Sequence, residues 1–189
     1  MKPDLLLLEP MMKAIEDQLD ALYTVHRVFD ESQKQAIEDA LPRIRAAATG
    51  GGGGISNEWI EKLPNLGVVA VNGVGTDRID LKFARERNID IATTLGVLTD
   101  DVADVGIALM LALLRQVAKG DAYVRSGGWT KGGFPLGTSP KGKRLGILGL
   151  GQIGKAFGRK AEAFGMEVGF WNRSPVTDTN WKSFASPVE

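Results

Sequence analysis

The sequence predicts an α/β protein built on parallel strands. Three observations carry that prediction. Short apolar runs alternate with helix-like stretches along the first hundred residues, no hairpin turn signals separate them, and a glycine-rich turn at 149–154 joins one apolar run to a helical stretch. Residues 5–8, all leucine, read as a buried strand and 11–22 as a helix. Residues 23–28 follow as a strand, 33–41 as a helix and 44–48 as a third strand ending in Thr49 and Gly50. A helix over 56–63 starts at Ser56, whose hydroxyl suits an N-cap. A strand at 68–71, a short helix at 81–87 and a strand at 90–92 close the series. Continuous apolar runs of this kind are expected of parallel strands covered on both faces.

A longer helix opens at Thr99, expected as its cap, with Asp100 and Asp101 suited to the positive end of the helix dipole. From Val102 to Leu114 only Asp104 and Gly106 interrupt the apolar character, so this helix is expected to be buried between two domains. The boundary falls near residue 98, giving domains of 1–98 and 99–189. Residues 119–143 read as an irregular arm broken by Gly127-Gly128 and Gly132-Gly133 and bearing Tyr123, Trp129 and Phe134. At Arg144 the alternation restarts, with a strand at 144–148, a helix at 153–164 and a strand at 166–171.

Composition narrows the function. Twenty-three basic and twenty-three acidic residues cancel, which argues against nucleic acid or an anionic membrane as the main partner. The absence of cysteine removes disulfides and thiol chemistry, and a single histidine, His26, removes a histidine-rich metal site. The apolar run at 5–8 is too short for a signal peptide, and that at 107–114 is too short to span a bilayer. The expectation is a cytoplasmic protein without a metal.

Gly149-Leu150-Gly151-Gln152-Ile153-Gly154 follows a strand and opens a helix, which is the setting a dinucleotide fingerprint requires. The first glycine permits the tight turn, the second lets a pyrophosphate approach the backbone, and the third lets helix and strand pack closely. About 20 residues further on, an NAD site places an acidic residue on the ribose hydroxyls. Here stand Asn172, Arg173 and Ser174. A cation without a carboxylate favours the 2′-phosphate of NADP over NAD. A second glycine run, Gly50 to Gly54, and the loop Asn72-Gly73-Val74-Gly75-Thr76 each follow a strand. Both lie at the carboxyl edge of the sheet, where their N–H groups can form an anion pocket.

Taken together, Asn72-Gly-Val-Gly-Thr-Asp, Thr94-Leu-Gly-Val-Leu-Thr-Asp-Asp, Gly128-Trp129, Phe134-Pro-Leu-Gly and the fingerprint resemble the D-isomer-specific 2-hydroxyacid dehydrogenases. Trp171-Asn-Arg-Ser brings the resemblance nearest to the NADP-dependent glyoxylate/hydroxypyruvate reductases. Leu95 departs from the family's usual proline. The resemblance implies a flavodoxin-like substrate domain followed by the first half of a Rossmann domain. It implies reduction of a small 2-ketoacid by hydride transfer from NADPH, and a homodimer formed through an arm at 119–139. By the same resemblance, Gly52, Val74 and Gly75 hold the substrate carboxylate. Leu150, Gly151, Gln152, Ile153, Asn172, Arg173 and Ser174 contact the cofactor, and Leu98 and Thr99 lie near its nicotinamide.

The family's catalytic arginine, glutamate and histidine fall later in the cofactor domain, as does a return helix of the substrate domain. No catalytic residue is therefore assigned within these 189 residues, which read as the N-terminal part of a longer enzyme. His26, in a substrate-domain strand, is expected to be structural. Two other readings are a non-catalytic dinucleotide-binding or dimerising fragment and a phosphoglycerate dehydrogenase.

Overall fold

The computed structural model describes residues 2–188, which divide into two compact units at residues 95 and 96. The first unit holds a parallel sheet of strands β1 (Asp4–Leu7), β2 (Thr24–Arg27), β3 (Ala46–Gly50), β4 (Val68–Asn72) and β5 (Asp90–Thr93). Their order is β2-β1-β3-β4-β5. Each crossover carries a helix: α1 (Lys13–Leu22), α2 (Lys34–Ala40), α3 (Asn57–Lys62) and α4 (Leu81–Glu86). This is the flavodoxin-like winding, which reverses direction between β1 and β3.

One face of the sheet is sealed by α2, α3 and α4, where Leu6, Ile37, Ile44, Ala47, Ile60 and Val69 form the main core. The other face carries a smaller cluster of Leu5, Leu7 and Ala48 beneath Leu19 of α1. Cover there ends at β3, so Ala70 of β4 and Ala92 of β5 are exposed. The expected burial on both faces holds for the leading strands only. Ser56 caps α3 through the Trp59 N–H, as its position predicts.

The second unit holds α5 (Thr99–Leu114), α6 (Val117–Arg125), β6 (Arg144–Leu148), α7 (Gln152–Ala163), β7 (Glu167–Trp171) and β8 (Lys182–Ser183). Its parallel sheet runs β6-β7-β8, the order of the first half of a Rossmann sheet. The short β8 adds a third strand to the two expected. Helices α5 and α7 are packed together: Phe157 of α7 lies where a Cβ on Gly106 would stand, and Lys160 reaches Asp104 at 2.5 Å and Asp100 at 3.2 Å.

Three expectations for this unit are corrected. Helix α5 buries only Ala103 and Ile107, while Leu109 is 67 % and Leu113 79 % exposed. An apolar composition does not dictate burial when α7 covers a single side. Thr99 is the first helical residue, with Leu98 at the cap position, and its hydroxyl turns to Gln152 at 3.3 Å. The irregular arm also starts later than expected, because 117–125 is helical. Tyr123 of this helix packs on Phe134 of the arm with ring centroids 5.3 Å apart and donates its hydroxyl to the Gly132 carbonyl. Trp129 and Leu136 are left outside this small cluster, at 68 % and 95 % exposure.

His26 is buried in β2, with Nε2 2.7 Å from Asp4 at the start of β1, while Arg43 approaches the other oxygen of Asp4 at 3.1 Å. This places the single histidine toward the sheet edge opposite the glycine loops. The hydrogen bond to His26, aided by Arg43, holds the Asp4 carboxyl below the usual aspartate range against the cost of its burial. A depressed carboxyl stabilises the fold above the unfolded aspartate value and loses that contribution as pH falls below about 4. Asp4→Asn in the full-length protein should cost about 1–3 kcal/mol near neutrality. It should also weaken the acid dependence of stability below about pH 4. Denaturant titrations across pH measure both.

Candidate functional site

In the first unit the loops after β3 and β4 lie side by side. Gly51 and Gly73 are in such close backbone contact that a Cβ on Gly73 would stand 2.9 Å from the Gly51 Cα. Gly54 has a φ of +67° and faces the Arg78 carbonyl, a position only glycine accepts without strain. A bridge between Ile55 and Ile79 then ties the ends of the two loops together. Gly52 is different, since nothing lies within 4 Å of where its Cβ would be. Val74 is exposed and Gly75 lies beside the Gly51 carbonyl. The three residues assigned to a carboxylate thus share one sheet edge, with Gly52 at its open point.

The second unit presents the fingerprint. Gly149 turns the chain with a φ of +97°. Gly151 has open space where a Cβ would be. Gly154 is pressed against the Gly149 carbonyl and, at 3.3 Å from a built Cβ, Ile147 of β6. The glycines therefore serve turning, access and packing in chain order. Helix α7 begins at Gln152 with no side chain capping its first N–H groups, which leaves its positive end open to an anion. These features fit a dinucleotide pyrophosphate.

The other predicted contacts divide. Gln152 and Ile153 are exposed at the start of α7, Gly96 and Thr99 lie beside the Gln152 side chain, and Leu98 is exposed at the head of α5. Leu150 is 2 % exposed, and its N–H donates to Asn172 Oδ1 at 2.9 Å. Asn172 is used twice within the protein, since its amide also donates to the Ser174 carbonyl at 2.8 Å. It positions the glycine turn. Arg173 and Ser174 are exposed, and Arg173 forms no ion pair among the described residues.

Two features escape inspection of the sequence. Lys155, in the first turn of α7, pairs with Asp178 at 2.5 Å and lowers its carboxyl, tying the segment after β7 to the fingerprint helix. Glu9, just after β1, accepts the Gly50 N–H. A lysine directly after the last fingerprint glycine was a visible signal for the first. The second depends on strand order, which the sequence does not print. No cluster of metal-ligating side chains occurs among the described residues, and no helix there is long and apolar enough to cross a membrane.

A parallel sheet, an uncapped helix and three glycines with divided roles define a dinucleotide-binding α/β protein. Residues 107–188 match the family model described as the NAD binding domain of D-isomer specific 2-hydroxyacid dehydrogenases. The chain belongs to that family. It is 44% identical over 171 residues to a 2-ketogluconate reductase of Gluconobacter oxydans, a match covering 90% of this chain and 54% of that protein. A crystal structure of a dehydrogenase from Rhizobium meliloti is 60% identical with a TM-score of 0.84, covering 97% of this chain and 64% of that one. The structure of an NADPH-dependent glyoxylate/hydroxypyruvate reductase from Sinorhizobium meliloti with NADP and malonate is 29% identical with a TM-score of 0.83. That match covers 97% of this chain and 57% of the other. The chain therefore spans a little over half the length of these relatives.

The glycines can be told apart by substitution. Gly151→Ala has room in the fold, so it should leave the melting temperature of the full-length protein unchanged while weakening dinucleotide binding at least about tenfold, which is about 1.4 kcal/mol. Gly154→Ala meets backbone and should cost about 1–3 kcal/mol of stability. Calorimetric melting and fluorescence titration with NADPH separate the two effects.

Proposed function

We propose that the full-length protein reduces a small 2-ketoacid, of the glyoxylate or hydroxypyruvate type, to its 2-hydroxyacid with NADPH. The observation that carries this reading is the pairing of an open fingerprint with an open glycine loop, one in each unit. A bound NADPH supplies the hydride. The chain's own residues do the binding. The N–H groups at the start of α7 face the pyrophosphate, and Arg173, exposed where an NAD site would place a carboxylate, meets the 2′-phosphate. The backbone at Gly52, Val74 and Gly75 holds the ketoacid carboxylate. The proton donor to the alkoxide is not His26, which is buried against Asp4. The named relatives support the reaction class, and the Sinorhizobium meliloti enzyme, described as NADPH-dependent, supports the cofactor.

A homodimer is part of the proposal. Val102, Val105, Leu109 and Leu113 line one side of α5, and Trp129 and Leu136 extend the exposed apolar surface along the arm. A run of exposed apolar side chains on one helix face is the usual mark of an interface. Deleting residues 125–138 from the full-length protein should yield monomers by light scattering, and an unchanged dimer would place the interface elsewhere.

Cofactor choice is tested at Arg173. A hydrogen bond to a charged phosphate contributes about 1.5–3 kcal/mol, so Arg173→Ala should lose about ten- to hundredfold in NADPH affinity and little for NADH. Equal losses would show that the residue does not read the phosphate. Initial rates on a panel of 2-ketoacids, glyoxylate, hydroxypyruvate and 2-ketogluconate among them, test the substrate.

A further inference from the structure

The run from Gly50 to Gly54 has no side chains with which to hold a shape, and glycine loses more freedom on ordering than any other residue. Its far end is fixed by the Arg78 carbonyl and the Ile55–Ile79 bridge. Its near end is fixed by Glu9. The chain leaves β1 and β3 in opposite directions, so the residues following these two neighbouring strands meet at the reversal of the sheet.

There the half-buried Glu9 accepts the Gly50 N–H through Oε1. The same oxygen lies 3.4 Å from the hydroxyl of the fully buried Thr49, which donates more closely to the Gly54 carbonyl at 2.9 Å. A Cβ on either Gly50 or Gly53 would fall on the Glu9 carboxylate. Glu9 thus fills the volume that side chains at those two positions would take. It forms no ion pair among the described residues, so its hold on the loop is that of a hydrogen-bond acceptor.

We propose that Glu9 is the positioning residue of the carboxylate-binding loop, holding residues 50–53 in one shape so that Gly52 is presented to the ketoacid. The inference rests on the reading of Gly52 given above. A loop already ordered need not be ordered by the substrate, so the contribution of Glu9 appears in ketoacid affinity. Its negative charge opposes an anionic ligand nearby. The acceptor oxygen is therefore the useful part and the charge is not.

The test uses the full-length enzyme with Glu9→Ala, Glu9→Gln and Glu9→Asp. Glu9→Ala should raise KM for the ketoacid by up to about tenfold with a smaller change in kcat, the loss expected of one hydrogen bond. Glu9→Asp, one methylene too short, should behave the same way. Glu9→Gln keeps an acceptor oxygen without the charge, so its KM should equal or fall below that of the unaltered enzyme. The dissociation constant for NADPH should be unchanged in all three.

Amide exchange at 50–53, measured without substrate, should be faster in the alanine and aspartate variants and unchanged in the glutamine variant. Unaltered KM and exchange in Glu9→Ala would overturn the proposal. So would a folded Glu9→Gln that fails to restore KM. If the alanine variant does not fold, the other two still decide. An unaltered enzyme that reduces no 2-ketoacid would refute the function proposed above, and the exchange comparison would still judge Glu9.

Discussion

An anion approaches a backbone N–H most closely where no Cβ crowds it, and each unit of this protein carries a glycine loop with such an opening. Gly52 in one and Gly151 in the other have empty space where a side chain would project. The glycines around them meet different demands. Gly73 lets two loop backbones touch, Gly154 lets α7 press on the turn before it, and Gly149 and Gly54 take left-handed conformations.

Loops without side chains need their order from elsewhere, and the two units meet this need in the same way. In each, a side chain following a neighbouring strand supplies an acceptor oxygen to an N–H of the glycine loop. Asn172, after β7, takes the Leu150 N–H beside β6. Glu9, after β1, takes the Gly50 N–H at the end of β3. Parallel neighbours end at the same edge of a sheet, so such a residue is always within reach of the adjacent loop.

The exposed side of α5 and the arm obey a different constraint. Helix α7 covers one flank of α5 through Phe157 and the Lys160 ion pairs. The arm satisfies part of its own apolar surface by stacking Phe134 on Tyr123. Leu109, Leu113, Trp129 and Leu136 remain outside both arrangements. Their exposure separates the hydrophobicity of a segment, which composition reports, from its burial, which neighbours decide.

The sequence by itself determined the local features. Apolar runs and breakers placed strands β1 to β7 and every helix but α6, Ser56 declared its cap, and the spacing of Gly149, Gly151 and Gly154 between strand and helix announced the dinucleotide turn. Each of these follows from interactions within a few residues. What the tertiary structure decided depends on which strands become neighbours. Thr99 looked like a cap and instead serves Gln152, because α5 lies against α7. Asn172 secures the glycine turn through the Leu150 N–H, because β7 pairs with β6. Glu9 carried no signal at all. Forty-one residues separate it from Gly50, and only the order β2-β1-β3 brings its carboxylate into the space that glycines leave open.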